Sequence, residues 1–255
     1  MARFTFYSDM PRWLDAQVVE LPGGALVVTH YRQEPPANEK VIAAVTAEAD
    51  VADEHEARLL VGRLVGPLFL AMSIDTGWPI DGEWLGGNGD FDGHHRIFGR
   101  SRVFGLRHTR HRPRPLADYR DTADRLAADD QIEPAARRLR AAYSYLTIDE
   151  DVTRALAFLA AEALVERVLG HDATGRPDEL QAWTGAAPQL GSDERSIEQL
   201  WRSLQRGRHH SPVLAEEGLK KLDLPTLGAA ACCDRVADLI DSLTTDGSAG
   251  PVGAP

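Results

Sequence analysis

The chain has 255 residues, of which 43% are hydrophobic and 26% are charged, proportions typical of a globular protein with a buried core. Its net charge of -11 excludes a protein that coats nucleic acid over a broad basic surface, so any such contact has to be local. The two cysteines are adjacent, Cys232 and Cys233, which excludes a disulfide framework and fits a reducing cytoplasm.

The N-terminal stretch (1–13) contains no apolar run of signal-peptide length. The longest apolar stretch (59–72) is interrupted by Arg63 and two glycines, and it is too short to span a bilayer. We therefore expect a cytoplasmic protein without a membrane partner.

The first part of the chain predicts a small β-rich α+β domain over residues 1–113. Alternating or β-branched apolar residues predict three strands, at 3–8, 23–32 and 40–50. An acidic start followed by apolar residues predicts a helix over 52–73, which Pro67 is expected to kink or end. Glycines predict turns over 75–95, a strand or hairpin follows at 96–110, and two prolines indicate a linker at 111–116.

The second part predicts an all-α bundle over residues 114–246, followed by a disordered tail at 247–255. The predicted helices cover residues 116–130, 133–148, 149–170, 192–207 and 224–243. Their expected boundaries include Pro134 at a first helical position, a cap at Ser192 or Asp193, and helix-ending glycines at 170 and 207. The fold class is therefore predicted to be α+β, with an N-terminal β-rich domain and a C-terminal helical bundle.

Three segments of the helical part carry a family pattern. They read LAAEALVERVL (159–169), LWRSLQRGRHH (200–210) and LGAAACCDRVADLIDSL (227–243). In this order they resemble an alanine-rich helix with a central glutamate, an arginine–histidine motif and a final amphipathic helix of HEPN domains, in particular the Apea-like branch. Residues 40–80 are similar to a junction found in larger members, so the resemblance covers 40–80 and 130–243.

The resemblance implies a homodimer in which two motifs meet and cleave RNA without a metal or other cofactor, in prokaryotic defence or a toxin-type response. It implies that Glu162 steadies Arg202. The chain departs from the family pattern because it lacks a His-Gly pair and has six residues between Arg202 and His209.

The residues themselves support phosphate chemistry near position 202. Arg202 and His209 are seven residues apart, nearly two helical turns, so a continuous helix would place both on one face with Arg206 between them. A guanidinium can bind two phosphate oxygens, and an imidazole can take a proton from a ribose hydroxyl. Arg208 and His210 are alternatives if the register differs.

A structural interpretation of the same stretch stays open. If Gly207 ends the helix, the histidines leave its face, and the cations simply stabilise a helix C-terminus. Glu162 would then be a polar residue at the edge of a helix interface.

A second basic segment lies at 94–115, with seven arginines, four histidines and two phenylalanines. Basic and aromatic residues can hold single-stranded nucleic acid, and Arg100, Arg102 and Arg107 are the candidate contacts. The alternatives are a solvent-facing hairpin or arginines paired to acids elsewhere. His108 and His111 have no acid or thiol partner at metal-ligand spacing, so no metal site is predicted.

The sequence leaves three alternative functions open. The first is a HEPN-like metal-independent endoribonuclease. The second is a helical module without chemistry that binds a protein partner or nucleic acid, with the N-terminal domain giving specificity. The third is a small-molecule enzyme without a recognisable motif.

Overall fold

The computed structural model describes residues 1–10, 14–21, 23–33, 38–80, 86–91, 94–99, 108–170, 178–209 and 212–245. The chain divides into two compact units. The first, the sheet unit, comprises Met1–Thr76, Ile80–Gly105 and His111–Asp124. The second, the helical unit, comprises Gly77–Pro79, Leu106–Arg110 and Arg125–Pro255. The predicted α+β fold class is confirmed, and the predicted tail at 247–255 lies outside the described residues.

The sheet unit is built on six antiparallel strands. In chain order they are β1 (Ala2–Met10), β2 (Gln17–Leu21), β3 (Gly24–Gln33), β4 (Asn38–Ala49), β5 (Gly86–Phe91) and β6 (His94–Gly99). Their order across the sheet is β2-β3-β4-β1-β5-β6. The predicted strands at 3–8, 23–32 and 40–50 are confirmed as β1, β3 and β4.

One face of the sheet carries the core of this unit. Alternation along β1 buries Phe4 and Phe6 and leaves Tyr7 exposed, as a two-residue period requires. Helix α1 (Glu54–Thr76) covers the buried face, because the guanidinium of Arg58 lies 5.0 Å from the centre of the Phe6 ring.

Helix α1 does not end at Pro67, as one alternative predicted, but continues to Thr76. Proline lacks one backbone donor, and burial of apolar residues on both sides of it, among them Val65 and Phe69, compensates. By length and composition α1 is one described helix that could cross a membrane, and 56% of its most apolar window is buried. A core helix of a globular protein passes the same test, so this is weak evidence for a membrane span.

Strand β5 lies where the glycines of 75–95 predict only turns, and that part of the prediction is wrong. Its glycines serve close packing: a Cβ on Gly89 would lie 2.6 Å from the Phe91 ring and 3.0 Å from Cβ of Phe4. Glycine is therefore the residue that lets β5 pair with β1 beside these two rings.

The helical unit contains most of the remaining helices. A short 3-10 turn (Leu116–Tyr119) and the start of α2 (Arg120–Ala128) precede it. It then contains α3 (Ile132–Tyr145), α4 (Glu150–Leu169), α5 (Glu179–Ala186), α6 (Glu194–His209), α7 (Pro212–Lys221) and α8 (Ala229–Thr245). Helices α5 and α7 were not predicted, and α8 begins five residues later than expected.

Capping explains where the central hairpin of α3 and α4 begins and ends. The Asp149 carboxylate accepts from the backbone of Asp151 and Val152, and Gly170 ends α4 with a φ of 70°. Pro134 is the third residue of α3 and not the first, because the Asp129 carboxylate accepts from Ile132 N and so caps the helix earlier. Proline is tolerated there because first-turn amides have no partner within the helix.

Candidate functional site

The arginine–histidine motif lies on one unbroken helix. Asp193 caps α6 by accepting from Ser196 N at 2.9 Å, and α6 continues through Gly207 to His209. The expectation that Gly207 ends the helix is therefore wrong. Arg202, Arg206 and His209 are spaced by four and three residues, so they lie along one face of α6.

Arg202 already has a carboxylate partner on its own helix. Its Nε and Nη2 donate to Glu198 Oε1 at 3.1 and 2.9 Å. Its guanidinium also lies over Gly218 of α7, where a Cβ would be 2.5 Å from Nη1. Arg202 is thus half-buried between an acid and the backbone of a neighbouring helix.

Other residues on this side of α6 hold α7 and the chain that follows it. Arg206 Nη2 lies 3.9 Å from Glu216 Oε1 on α7. Arg195 donates to the carbonyl of Leu222 at 3.2 Å, and Gln199 donates to the carbonyl of Pro225 at 2.7 Å. The face of α6 that bears the motif therefore also holds α7 and the following chain in place.

His209 is the motif residue that is most open to solvent. It is exposed in the last turn of α6, where a helix dipole favours a cation. Within the described ranges its ring has no hydrogen-bond partner, so it can meet a ligand without breaking a contact. His210, its alternative, lies outside the described residues.

Arg208 points to a different side of α6 from Arg202. Its Nη1 donates to Glu179 on α5 at 2.6 Å, and its guanidinium lies 4.7 Å from the centre of the Phe158 ring on α4. A planar cation between an acid and a ring is a packing anchor. Arg208 therefore joins three helices of the bundle.

Glu162 lines a pocket of about 520 Å³ between α4 and the end of α6. Its side chain is buried, and the lining residues include Val152, Phe158, Gly207 and Arg208. The acid within ion-pair distance of Arg202 is Glu198, so the role assigned to Glu162 through that arginine stays a prediction.

In the described part of the second basic segment, several basic side chains pair with aspartates of their own unit. In the helical unit, Arg110 bridges Asp238 and Asp241 at 2.5 and 2.9 Å with a side chain that is only 6% exposed. There His108 Nε2 lies 2.9 Å from the Asp234 carboxylate, which also accepts from the Tyr143 hydroxyl.

In the sheet unit, His111 and Arg114 each lie 3.3 Å from the Asp75 carboxylate. One alternative for this segment was that its arginines pair with acids elsewhere in the chain. Arg110 and Arg114, near the end of the segment, do so. The candidate nucleic-acid contacts Arg100, Arg102 and Arg107 lie outside the described residues. Among the residues that are described, no three metal-ligating side chains cluster.

Arg154 is a functional or structural candidate that sequence reasoning missed. Its side chain is 3% exposed, and it donates to the Ser203 carbonyl at 3.1 Å and to Cys232 Sγ at 3.4 Å. Burial raises the pKa of Cys232 to about 11, and the nearby Arg154 charge opposes this only in part. The signal in the sequence was an arginine in the alanine- and leucine-rich run of α4.

Comparison of the chain with protein-family models, with curated proteins and with solved structures finds no match. The HEPN resemblance therefore stays a prediction from the motifs alone.

Proposed function

We propose that the helical unit is a HEPN-like domain that cleaves RNA without a metal, with Arg202 and Arg206 binding the phosphodiester and His209 moving the proton. The observation that carries the proposal is the run of α6 through Gly207, which keeps these three side chains on one face. A helix that ended at Gly207 would have separated the histidine from both arginines.

The chemistry needs only these side chains and the RNA itself. The ribose 2′-hydroxyl attacks the adjacent phosphorus while an imidazole takes its proton, and a guanidinium stabilises the charge that develops on phosphate. The P–O5′ bond breaks and the leaving 5′-oxygen takes a proton from the imidazolium or from water, which gives a 2′,3′-cyclic phosphate and a 5′-hydroxyl. His209 is exposed and has the open ring that this step requires.

Arg202 has to accept a phosphate beside its existing acid. Glu198 takes up Nε and Nη2 and leaves Nη1 without an acceptor among the described residues. An i,i+4 pair on a helix surface contributes about 0.3–0.5 kcal/mol, and this pair is only half-buried, so an RNA phosphate can share or replace it. Arg206 is held less tightly than Arg202, because Oε1 of its partner Glu216 lies 3.9 Å from Nη2.

The resemblance adds a partner and a setting to the proposal. It implies that two copies meet as a homodimer, each contributing one motif, in the cytoplasm of a prokaryote that uses the protein in defence or as a toxin. Light scattering on the purified protein measures the dimer directly.

The test is incubation of the purified protein with RNA in EDTA. We expect His209→Ala to lower the cleavage rate by about 100-fold or more, the usual contribution of a general base. Arg202→Ala and Arg206→Ala should each slow cleavage. Arg137→Ala is the matched control, because Arg137 forms a similar exposed i,i+4 ion pair, with Glu133 on α3. Cleavage that survives both His209→Ala and Arg202→Ala removes these residues from the mechanism.

A second candidate is a helical module that binds a partner or nucleic acid without chemistry. The observation that favours it is the engagement of both arginines by carboxylates, together with exposed Val213 and Leu214 on α7. Binding of RNA that depends on Arg206, without any cleavage by the wild type, selects this candidate.

A further inference from the structure

Helix α7 is held to the bundle mainly by α6. It has ten residues, and of these it buries Ala215 and Leu219. Its first turn carries Val213 and Leu214 in exposed positions. An element that buries two side chains is at the low-stability end of a domain and can open without global unfolding.

The same helix covers the arginines that are proposed to bind phosphate. Glu216 Oε1 is 3.9 Å from Arg206 Nη2, and the backbone of Gly218 lies under the Arg202 guanidinium. A carboxylate oxygen on a guanidinium occupies the place that a phosphate oxygen would take. RNA and α7 therefore compete for one surface.

The chain after α7 turns away from the helix at one left-handed residue. Asp223, two residues beyond the end of α7, has a φ of 53° and is the one described non-glycine residue in the left-handed region. The carbonyl of Leu222, between them, accepts from Arg195 of α6. This left-handed residue ends α7, with Leu224 N donating to the Leu219 carbonyl.

We propose that α7 is an autoinhibitory cover, in which Glu216 competes with RNA phosphate for Arg206. This inference rests on the proposed function of the α6 face. It adds regulation: RNA binds productively when α7 moves away.

The chain offers a matched pair of variants for the test. Glu216→Gln removes the carboxylate that faces Arg206, and Glu217→Gln removes its exposed neighbour on the same helix. Both variants change the net charge equally, so general repulsion of RNA cancels between them. Affinity for a labelled single-stranded RNA 12-mer is measured by fluorescence anisotropy, and hydrogen exchange of α7 amides is measured without RNA.

We expect Glu216→Gln to bind RNA about two- to fivefold more tightly than Glu217→Gln, the range for one exposed ion pair. Its α7 amides should also exchange faster. Equal affinities for the two variants overturn the inference, even if α7 exchange rises. The double variant Arg202→Ala/Arg206→Ala separates this failure from failure of the proposed function: if it leaves RNA affinity unchanged, these arginines of the α6 face do not bind RNA.

Discussion

Gly207 of α6 lies directly against the backbone of α4 beside Arg154. A Cβ on Gly207 would be 2.6 Å from Cβ of Arg154, 2.6 Å from the Asp151 carbonyl oxygen and 2.7 Å from Ala155 N. These distances are shorter than real Cβ contacts, so only glycine permits this crossing. The residue that was expected to end α6 instead lets it continue along α4 as far as His209.

Gly207→Ala should therefore destabilise the protein, although alanine favours helices. The atoms in the way belong to backbone, which cannot move aside without shifting α4, and overpacking of this kind costs about 1–3 kcal/mol. Gly185→Ala is the control, since Gly185 is also helical and has nothing within 4 Å of its missing Cβ. That control should gain up to about 1 kcal/mol. Urea unfolding of both variants measures the difference, and equal effects would contradict this account.

Local patterns predicted the elements that local physics determines. The two-residue alternation around Phe4 and Phe6 marked β1, and the acidic start at residue 149 with the stop at Gly170 marked α4 within a residue. In each case the signal and the interaction that fixes the element lie within a few residues of each other.

Features that depend on distant contacts could not be predicted. The glycines of β5 indicated turns because the pairing with β1, which brings Gly89 beside Cβ of Phe4, joins residues that are far apart in sequence. Gly207 indicated a helix end for the same reason. At the candidate site the spacing of Arg202 and His209 was readable, but the engagement of Arg202 and Arg206 with α7 was not, since α7 has no strong periodicity of its own.

Asp129 should contribute to stability in two separable ways. Its Oδ1 accepts from Ile132 N at the start of α3, and its Oδ2 pairs with Arg167 of α4 at 2.7 Å. Asp129→Asn keeps an acceptor for the cap and loses the ion pair, so it should cost less than about 1 kcal/mol. Asp129→Ala loses both and should cost about 2 kcal/mol. Equal losses in chemical unfolding would show that the cap contributes nothing.

The ion-pair part of this contribution depends on pH. Burial disfavours ionisation of Asp129, but hydrogen bonds from Arg167 and from the backbone of Ile132 and Gln131 outweigh it and lower its pKa below 3.8. A lowered folded-state pKa stabilises above the unfolded value and loses that effect as pH falls through the folded value. The advantage of wild type over Asp129→Asn should therefore be present at pH 7 and should shrink as the pH falls below 3.8. An advantage that is constant with pH would assign it to packing.

Arg208→Lys should destabilise the helical unit although it keeps the charge. Lysine cannot lay a planar cation over Phe158 while it reaches Glu179, so we expect a loss of about 0.5–1 kcal/mol. Arg137→Lys is the control, because its exposed pair with Glu133 needs no planar group, and it should change stability little. Thermal unfolding compares the two, and a neutral Arg208→Lys would mean that the ring contact adds nothing.

Cys232 and Cys233 should be inert in the folded protein. Both are buried, and burial raises the pKa of Cys232 from 9.0 to about 11 and that of Cys233 well above its ordinary value. At pH 8 about one Cys232 thiol in a thousand is ionised, so an aromatic disulfide reagent should label neither cysteine until the helical unit opens. In urea both thiols should react at once, which is the control.

The same burial makes stability depend on pH. A raised folded-state pKa contributes stability below the unfolded value, and this contribution is lost as pH rises towards the folded value, so stability should fall between about pH 9 and 11. Replacing both cysteines by alanine should flatten that fall, and rapid labelling of the native protein at pH 8 would show that α8 is not packed against Arg154 as described.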